Sequence, residues 1–211
     1  MLASLLPVDV IFGFLITALL LCLAPGPDNL FVIAHSASQG YQSGLWITLG
    51  LCSGLIFHTS AVALGIAGLL QTTPWAFLLL KILGAAYLIY LAWQTWQTAQ
   101  QAPQKIADTK TQLSAAVAYR RGLIMNLTNP KVSLFFLALL PQFIPDHLEA
   151  TGLRIYFLGG LFLITALVSF SCMAVIAARL GQGLMQSKKI HQGMQYILTL
   201  VFVVLAAKLL V

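Results

Sequence analysis

Apolar residues run along this chain in six long blocks, and polar ones collect in the segments between them. The blocks are continuous and do not alternate with a period of two, so they predict helices and argue against a barrel of alternating segments of about ten residues. The first runs from Pro7 or Asp9 to about His35, and Ser36 to Ser43 turns the chain. A second block, Gly44 to Leu70, leads through Gln71 to Pro74 into a third, Trp75 to Gln97. Residues 100 to 114, rich in Gln, Thr, Lys and Pro, read as a surface linker. The fourth block starts after Arg120-Arg121 and ends at Pro141, and Pro145 to Glu149 forms the next turn. Ile155 to Ala178 and Gln192 to Val211 complete the set, with the basic turn Arg179 to Lys189 between them.

Two blocks are broken from within. In the first, Ala24-Pro25-Gly26-Pro27-Asp28-Asn29 removes the amide that would bond the Leu21 carbonyl and the one that would bond Leu23, and Gly26 tolerates unusual dihedrals. The fourth is interrupted by Asn126-Leu127-Thr128-Asn129-Pro130-Lys131. Inside a bilayer, such breaks persist only where protein or a water-filled cavity satisfies the freed backbone groups. At about 1.5 Å per residue, the 25 residues from Val10 to Ala34 exceed a hydrocarbon core of roughly 30 Å, so tilt or a break must absorb the excess.

Composition agrees with this pattern. The 211 residues are 60% hydrophobic and only 8% charged, against about 25% in soluble proteins, so the chain is expected to be an integral membrane protein. Its net charge of +6 gathers beside apolar spans, which fits the positive-inside rule and not a nucleic-acid face. Cys22, Cys52 and Cys172 lie deep in apolar blocks without C-x-x-C spacing and read as buried packing, so no metal, cofactor or thiol chemistry is expected. No basic region precedes the first block, which argues against a cleaved signal peptide.

Orientation follows from Lys and Arg. Lys105, Lys110, Arg120, Arg121, Arg179, Lys188 and Lys189 fall on one side; Arg154 falls on the other, with Lys81 and Lys208 if both snorkel to it. The richer side is expected in the cytoplasm, with both termini outside.

Cutting the chain at the linker near Pro103 leaves two halves, 1–99 and 115–211, of three spans each and opposite orientation, within one membrane domain. Each half breaks its first span at a proline, and aligning Pro27 with Pro130 sets Asp28 against Lys131. Corresponding breaks in two halves point to a transporter's central site. A lone ionised group at mid-membrane costs about 2.5 to 3.5 kcal/mol on insertion scales, and pairing offsets much of that. Asp28 and Lys131 are therefore expected to approach each other. The helix starts after Pro27 and Pro130 would face a substrate carboxylate, and Asp28 or the free carbonyls an ammonium group, which suits a zwitterion. Asp28 lies about 27 Å along a straight helix from Val10, nearer the cytoplasmic boundary than the midplane unless the first segment tilts or re-enters.

The runs APGPDNLFVIAHSASQGYQSGLWITLGLCSGLIFH, KILGAAYLIYLAWQ and NLTNPKVSLFFLALLPQFI resemble the LysE/RhtB family of amino-acid exporters. The likeness spans all six blocks, and two ordered proline motifs about a hundred residues apart make it specific. It implies an inner-membrane exporter of amino acids or close derivatives, driven by the proton gradient, with Pro25, Gly26, Pro27, Asp28, Asn29, Asn129, Pro130 and Lys131 carrying the site. Its expected partners are a small-molecule substrate, protons and lipid.

Other residues are weaker candidates. Asp28 leads for proton coupling, because burial and a neighbouring cation act on its protonation in opposite senses. Gly50, Gly54 and His58 share one helical face, where His58 either relays protons or packs with a hydrogen bond. Tyr87, Tyr90 and Asn126 could line a cavity, Gln142 belongs to a turn, and the tryptophans suit interfacial anchors. The glycine faces are compatible with a homodimer and equally with packing inside one bundle. A hydrolase lacks a nucleophile with a base partner. A passive channel or a membrane scaffold remains the alternative to a carrier.

Overall fold

The computed structural model describes residues 6–24, 26–72, 74–101, 113–145, 151–180 and 188–210, so Pro25, most of the 100–114 linker and much of the turns after Pro145 and Arg179 lie outside the described residues. Those described form helices and short connections, with no strand among them. Helix α1 covers Val8–Leu23 and α2 Pro27–Gln39, and their axes bend by 60°. Pro27 opens α2 at a position where its missing N–H costs nothing.

α2 runs through Ser36–Gln39, which sequence alone assigns to a loop. Two of its polar side chains find partners: the Ser38 hydroxyl donates to the Ala34 carbonyl at 2.8 Å within the helix, and Gln39 Oε1 accepts from the distant Leu113 amide at 3.0 Å. The reversal is made at Gly40, whose φ of 86° lies in the left-handed region, and α3 (Tyr41–Thr72) starts at once. A side chain there is strained. Gly40→Ala is expected to cost about 1 kcal/mol, seen as a lower thermal midpoint of the detergent-purified protein; an unchanged midpoint would contradict this turn.

Helix α4 spans Pro74–Gln100 and α5 Ala115–Leu127. α5 therefore begins ahead of Arg120-Arg121, where Ser114 accepts the Val117 amide as an N-cap at 3.4 Å. The break after it falls at Thr128 and Asn129. Helix α6, Pro130–Leu134, then widens into a π-helical turn over Phe135–Leu139 and tightens into a 3-10 turn over Leu140–Phe143, which holds Gln142. This second pair bends by 49°. Helices α7 (Thr151–Leu180) and α8 (Lys188–Leu210) complete the described fold.

α3 is the centre of the bundle, with α5 on one side and α7 on the other; α1 and α2 pack on α7, and α4 packs on α8. The α3–α5 seam depends on small residues. A Cβ on Gly50 would overlap the Tyr119 carbonyl, one on Gly122 the Ile47 carbonyl, and one on Gly54 the Asn126 side chain. The glycine face of α3 is thus covered within the chain by α5. Tyr119 adds a hydrogen bond from its hydroxyl to Ser53 Oγ at 2.9 Å. Below the break of α5 and α6, Phe14, Phe135, Phe136, Phe143 and Phe162 form an aromatic cluster with ring centroids 5.0 to 6.5 Å apart.

The outer surface is as apolar as this core: Phe12, Phe57, Leu64, Ile164, Val168 and Leu200 are all exposed, together with Trp75, Trp93 and Trp96. An exterior of that kind suits lipid. By length and composition, Tyr41–Gly65 of α3 and Thr151–Arg179 of α7 can each cross a membrane, and each bent pair can do so as one span. The cysteines divide: Cys22 and Cys52 are buried, but Cys172 is exposed on the outer face of α7, so the expectation of three buried thiols is corrected. A membrane helix packs only one side, and an apolar residue on the other costs little in lipid.

Candidate functional site

The two proline breaks interlock. At the first, α1 ends with carbonyls that helical amides would normally bond, and the missing donors come from side chains, one distant in sequence and one just past the break. Lys131 Nζ donates to Leu21 O at 3.4 Å and to Ala24 O at 3.1 Å. Leu21 O is the acceptor deprived of its amide by a proline at position 25, so an ammonium stands in for that N–H. Asn29 Nδ2 donates to Cys22 O at 2.7 Å and approaches Met173 Sδ of α7 at 3.6 Å. A cation at a helix C-terminus is favoured by the helix dipole, and here it is Lys131.

Gly26 caps α2 with φ −160° and ψ 177°, an extended conformation open to any residue, so its dihedrals do not demand glycine. Space is the stronger reason, since a Cβ there would stand 3.3 Å from Lys131 Nζ. Asp28 lies in the first turn of α2, at the positive end of the dipole, and is 2% exposed. Its Oδ2 accepts from Asn129 Nδ2 at 2.6 Å.

At the second break, Asn129 does three things. Its Oδ1 caps α6 by accepting the Lys131 amide at 3.0 Å, its Nδ2 reaches Asp28, and its own amide donates to Asn126 O at 3.1 Å. The same Asn126 carbonyl faces His58 Nε2 at 3.2 Å, which sets the tautomer with the proton on Nε2. His58 also packs on Phe136, ring centroids 5.8 Å apart. A polar chain therefore connects α3, the second break and the first break.

Asp28 and Lys131 act on each other electrostatically, yet among the described residues the carboxylate's hydrogen bond comes from Asn129 and the ammonium's go to backbone carbonyls. Three buried oxygens in this region, Asp28 Oδ1, Asn29 Oδ1 and Asn126 Oδ1, accept no hydrogen bond from the described residues. Unmatched buried acceptors are costly and call for a donor. The helix start after Pro130 is capped by the Asn129 side chain, whereas α2 has no side-chain cap and carries Asp28 in its first turn.

The structure thus gathers Gly26, Asp28, Asn29, Asn126, Asn129, Lys131 and His58, with Pro27 and Pro130 opening the two helices. Tyr87 goes elsewhere: its ring lies 5.9 Å from Tyr90, which lies 6.2 Å from Trp93, an aromatic row on α4. Sequence reasoning foresaw the freed Leu21 carbonyl but missed Met173 and the backbone oxygens of Cys22 and Ala24. A lone methionine carries no signal in an apolar span. The carbonyls of Cys22 and Ala24 could only be assigned once the partners that reach them were known.

These features define a helical membrane protein with two interlocked helix breaks around a buried polar centre. The chain belongs to the LysE type translocator family, whose model matches residues 19–211, and so to a class of transporters and not of enzymes. It is 30% identical to the leucine efflux protein of Salmonella typhimurium over 196 residues, covering 93% of this chain and 92% of the relative. The leucine efflux protein of Salmonella typhi matches to the same extent. An uncharacterized membrane protein of Vibrio cholerae is 36% identical over 180 residues, covering 83% of this chain and 84% of its own length. No solved structure matches the chain.

Proposed function

We propose that this protein is a secondary active exporter of amino acids, with leucine-like neutral side chains as first candidates, and that the paired helix breaks form its substrate site. The observation that carries the reading is the interlock itself. Two breaks, one bearing a buried carboxylate and the other a lysine, share partners across 101 to 110 residues of sequence in a translocator-family chain. Such a centre offers an acceptor for an α-ammonium and a cation for an α-carboxylate. The relatives named for leucine efflux suggest the side-chain class.

Counting α4 and α8 as spans brings the total to six, arranged as inverted repeats 1–99 and 115–211. The packing supports this. α3 meets its counterpart α7, α4 meets its counterpart α8, and the α1/α2 pair packs on α7 as α5 packs on α3. The charge bias then sets both termini in the periplasm, with the protein in the bacterial inner membrane. Asp28 couples export to protons: it binds one in the conformation where its cation partner is remote and releases it where the cation is near.

Reconstitution into proteoliposomes tests the reading. Labelled leucine is expected to show saturable counterflow, accelerated by an imposed pH gradient, and a panel of amino acids ranks the substrates. A non-saturable leak would make it a channel. The absence of flux for every amino acid would support a scaffold, and a rate indifferent to the gradient would remove the proton from the mechanism.

A further inference from the structure

Lys131 occupies acceptors that the proposed substrate needs. Two carbonyls at the C-terminal end of α1, Leu21 O and Ala24 O, both accept from its ammonium, at 3.4 and 3.1 Å. A buried carboxylate oxygen with no donor among the described residues, Asp28 Oδ1, belongs to the same centre, and Gly26 leaves its floor bare of a side chain. The two carbonyls form a cradle for a primary ammonium, built from the negative end of a broken helix. An intramolecular ammonium fills it.

We propose that Lys131 is a built-in occupant of the substrate's amine subsite: its ammonium holds the Leu21 and Ala24 carbonyls in the empty carrier and yields them to the α-ammonium of an arriving amino acid. The inference rests on the proposed zwitterion site and adds an exchange of partners to it. Charge explains why exchange is favoured over addition. A second ammonium brought into a buried site with one carboxylate would stay uncompensated, at a large desolvation cost. A zwitterion avoids this, because its carboxylate pairs with the displaced lysine while its ammonium takes over the carbonyls. The Lys131 ammonium is held by hydrogen bonds to two backbone carbonyls, partners that an arriving ammonium can take over. Simple amines are rejected, since they would displace Lys131 and leave it unpaired. The lysine is thus a selectivity element as well as a cap.

Complementation tests this directly. Truncation of Lys131 to alanine removes Cγ through Nζ, which n-propylammonium replaces atom for atom. The full-length Lys131→Ala protein in detergent is expected to gain several degrees in thermal midpoint with saturating n-propylammonium, while the wild type does not respond. Neutral n-propanol and tetramethylammonium, which has no N–H donor, are expected to do nothing. If the alanine variant does not fold, Lys131→Met, which has sulfur in place of Cδ and ends at Cε without the terminal nitrogen, is expected to respond in the same way to ammonium ion. Equal responses of wild type and variants, or an equal response to n-propanol, would overturn the proposal. Leucine counterflow by the wild type without any amine effect on the variants would overturn the occupancy and leave the export reading standing. An amine effect without any amino-acid counterflow would overturn the export reading, and with it the exchange, while leaving the cradle.

Discussion

Replacing Asp28 by asparagine is expected to lower amino-acid counterflow on the order of 100-fold while the protein remains folded. Among the described residues, the carboxylate is the single negative charge in the interlocked centre and accepts from Asn129 Nδ2 through one of its oxygens. Asparagine keeps an oxygen for that bond, so the link between α2 and the second break survives. What is lost is the charge that meets an ammonium, and removing one partner of a buried charge pair costs about 2 to 5 kcal/mol, or roughly 30-fold to several thousand-fold. Thermal unfolding in detergent provides the control. A variant that unfolds several degrees lower would assign Asp28 to the fold, and one that exchanges amino acid at the wild-type rate would remove it from transport.

The second large effect belongs to the α3–α5 seam. Gly50→Ala introduces a Cβ that overlaps the Tyr119 carbonyl and presses on the Leu123 amide at 2.8 Å, and backbone packed in a helix cannot step aside as a flexible side chain can. Overpacking typically costs about 1 to 3 kcal/mol, and a clash with backbone belongs at or above the top of that range. Gly13→Ala is the matched control, because a Cβ there meets nothing within 4 Å. In a helix, it is expected to be neutral or to add up to about 1 kcal/mol through propensity. The two variants are compared by the amount of folded protein in membranes and by thermal midpoint. Equal behaviour would mean that α3 and α5 do not approach this closely.

Much of the fold was legible because lipid demands continuous apolar stretches, and continuity is visible without knowing any contact. The helical class and both proline breaks followed from that alone. Helix ends were less legible. Ser36 to Gln39 looked like a loop by composition, but Ser38 and Gln39 find partners at Ala34 and Leu113, one through a helical turn and the other through tertiary contact. The Asn126–Lys131 interruption was visible as chemistry, whereas the π-helical turn at Phe135–Leu139 was not, since those residues read as ordinary apolar helix. The glycine face of α3 was recognisable as a close-approach surface, but which helix covers it depended on the arrangement of the bundle.

In the candidate centre, the sequence by itself determined which residue types are present and where the backbone must lose its bonds. Prolines at positions 25, 27 and 130 have no N–H, so unbonded carbonyls at the end of α1 were fixed by covalent structure. Likewise, Asp28 and Lys131 had to find compensation because isolated charges in an apolar medium are costly. Only the tertiary structure decided who compensates whom. Asp28 and Lys131 are expected to approach each other and do act on each other electrostatically, but it is Asn129 that bonds the carboxylate, and the lysine bonds carbonyls left open by the first break. The reason is that hydrogen bonding is directional and short in range. A site's charges can be counted from sequence, but its partners depend on the bends of 60° and 49° that carry each donor to within about 3 Å of an acceptor.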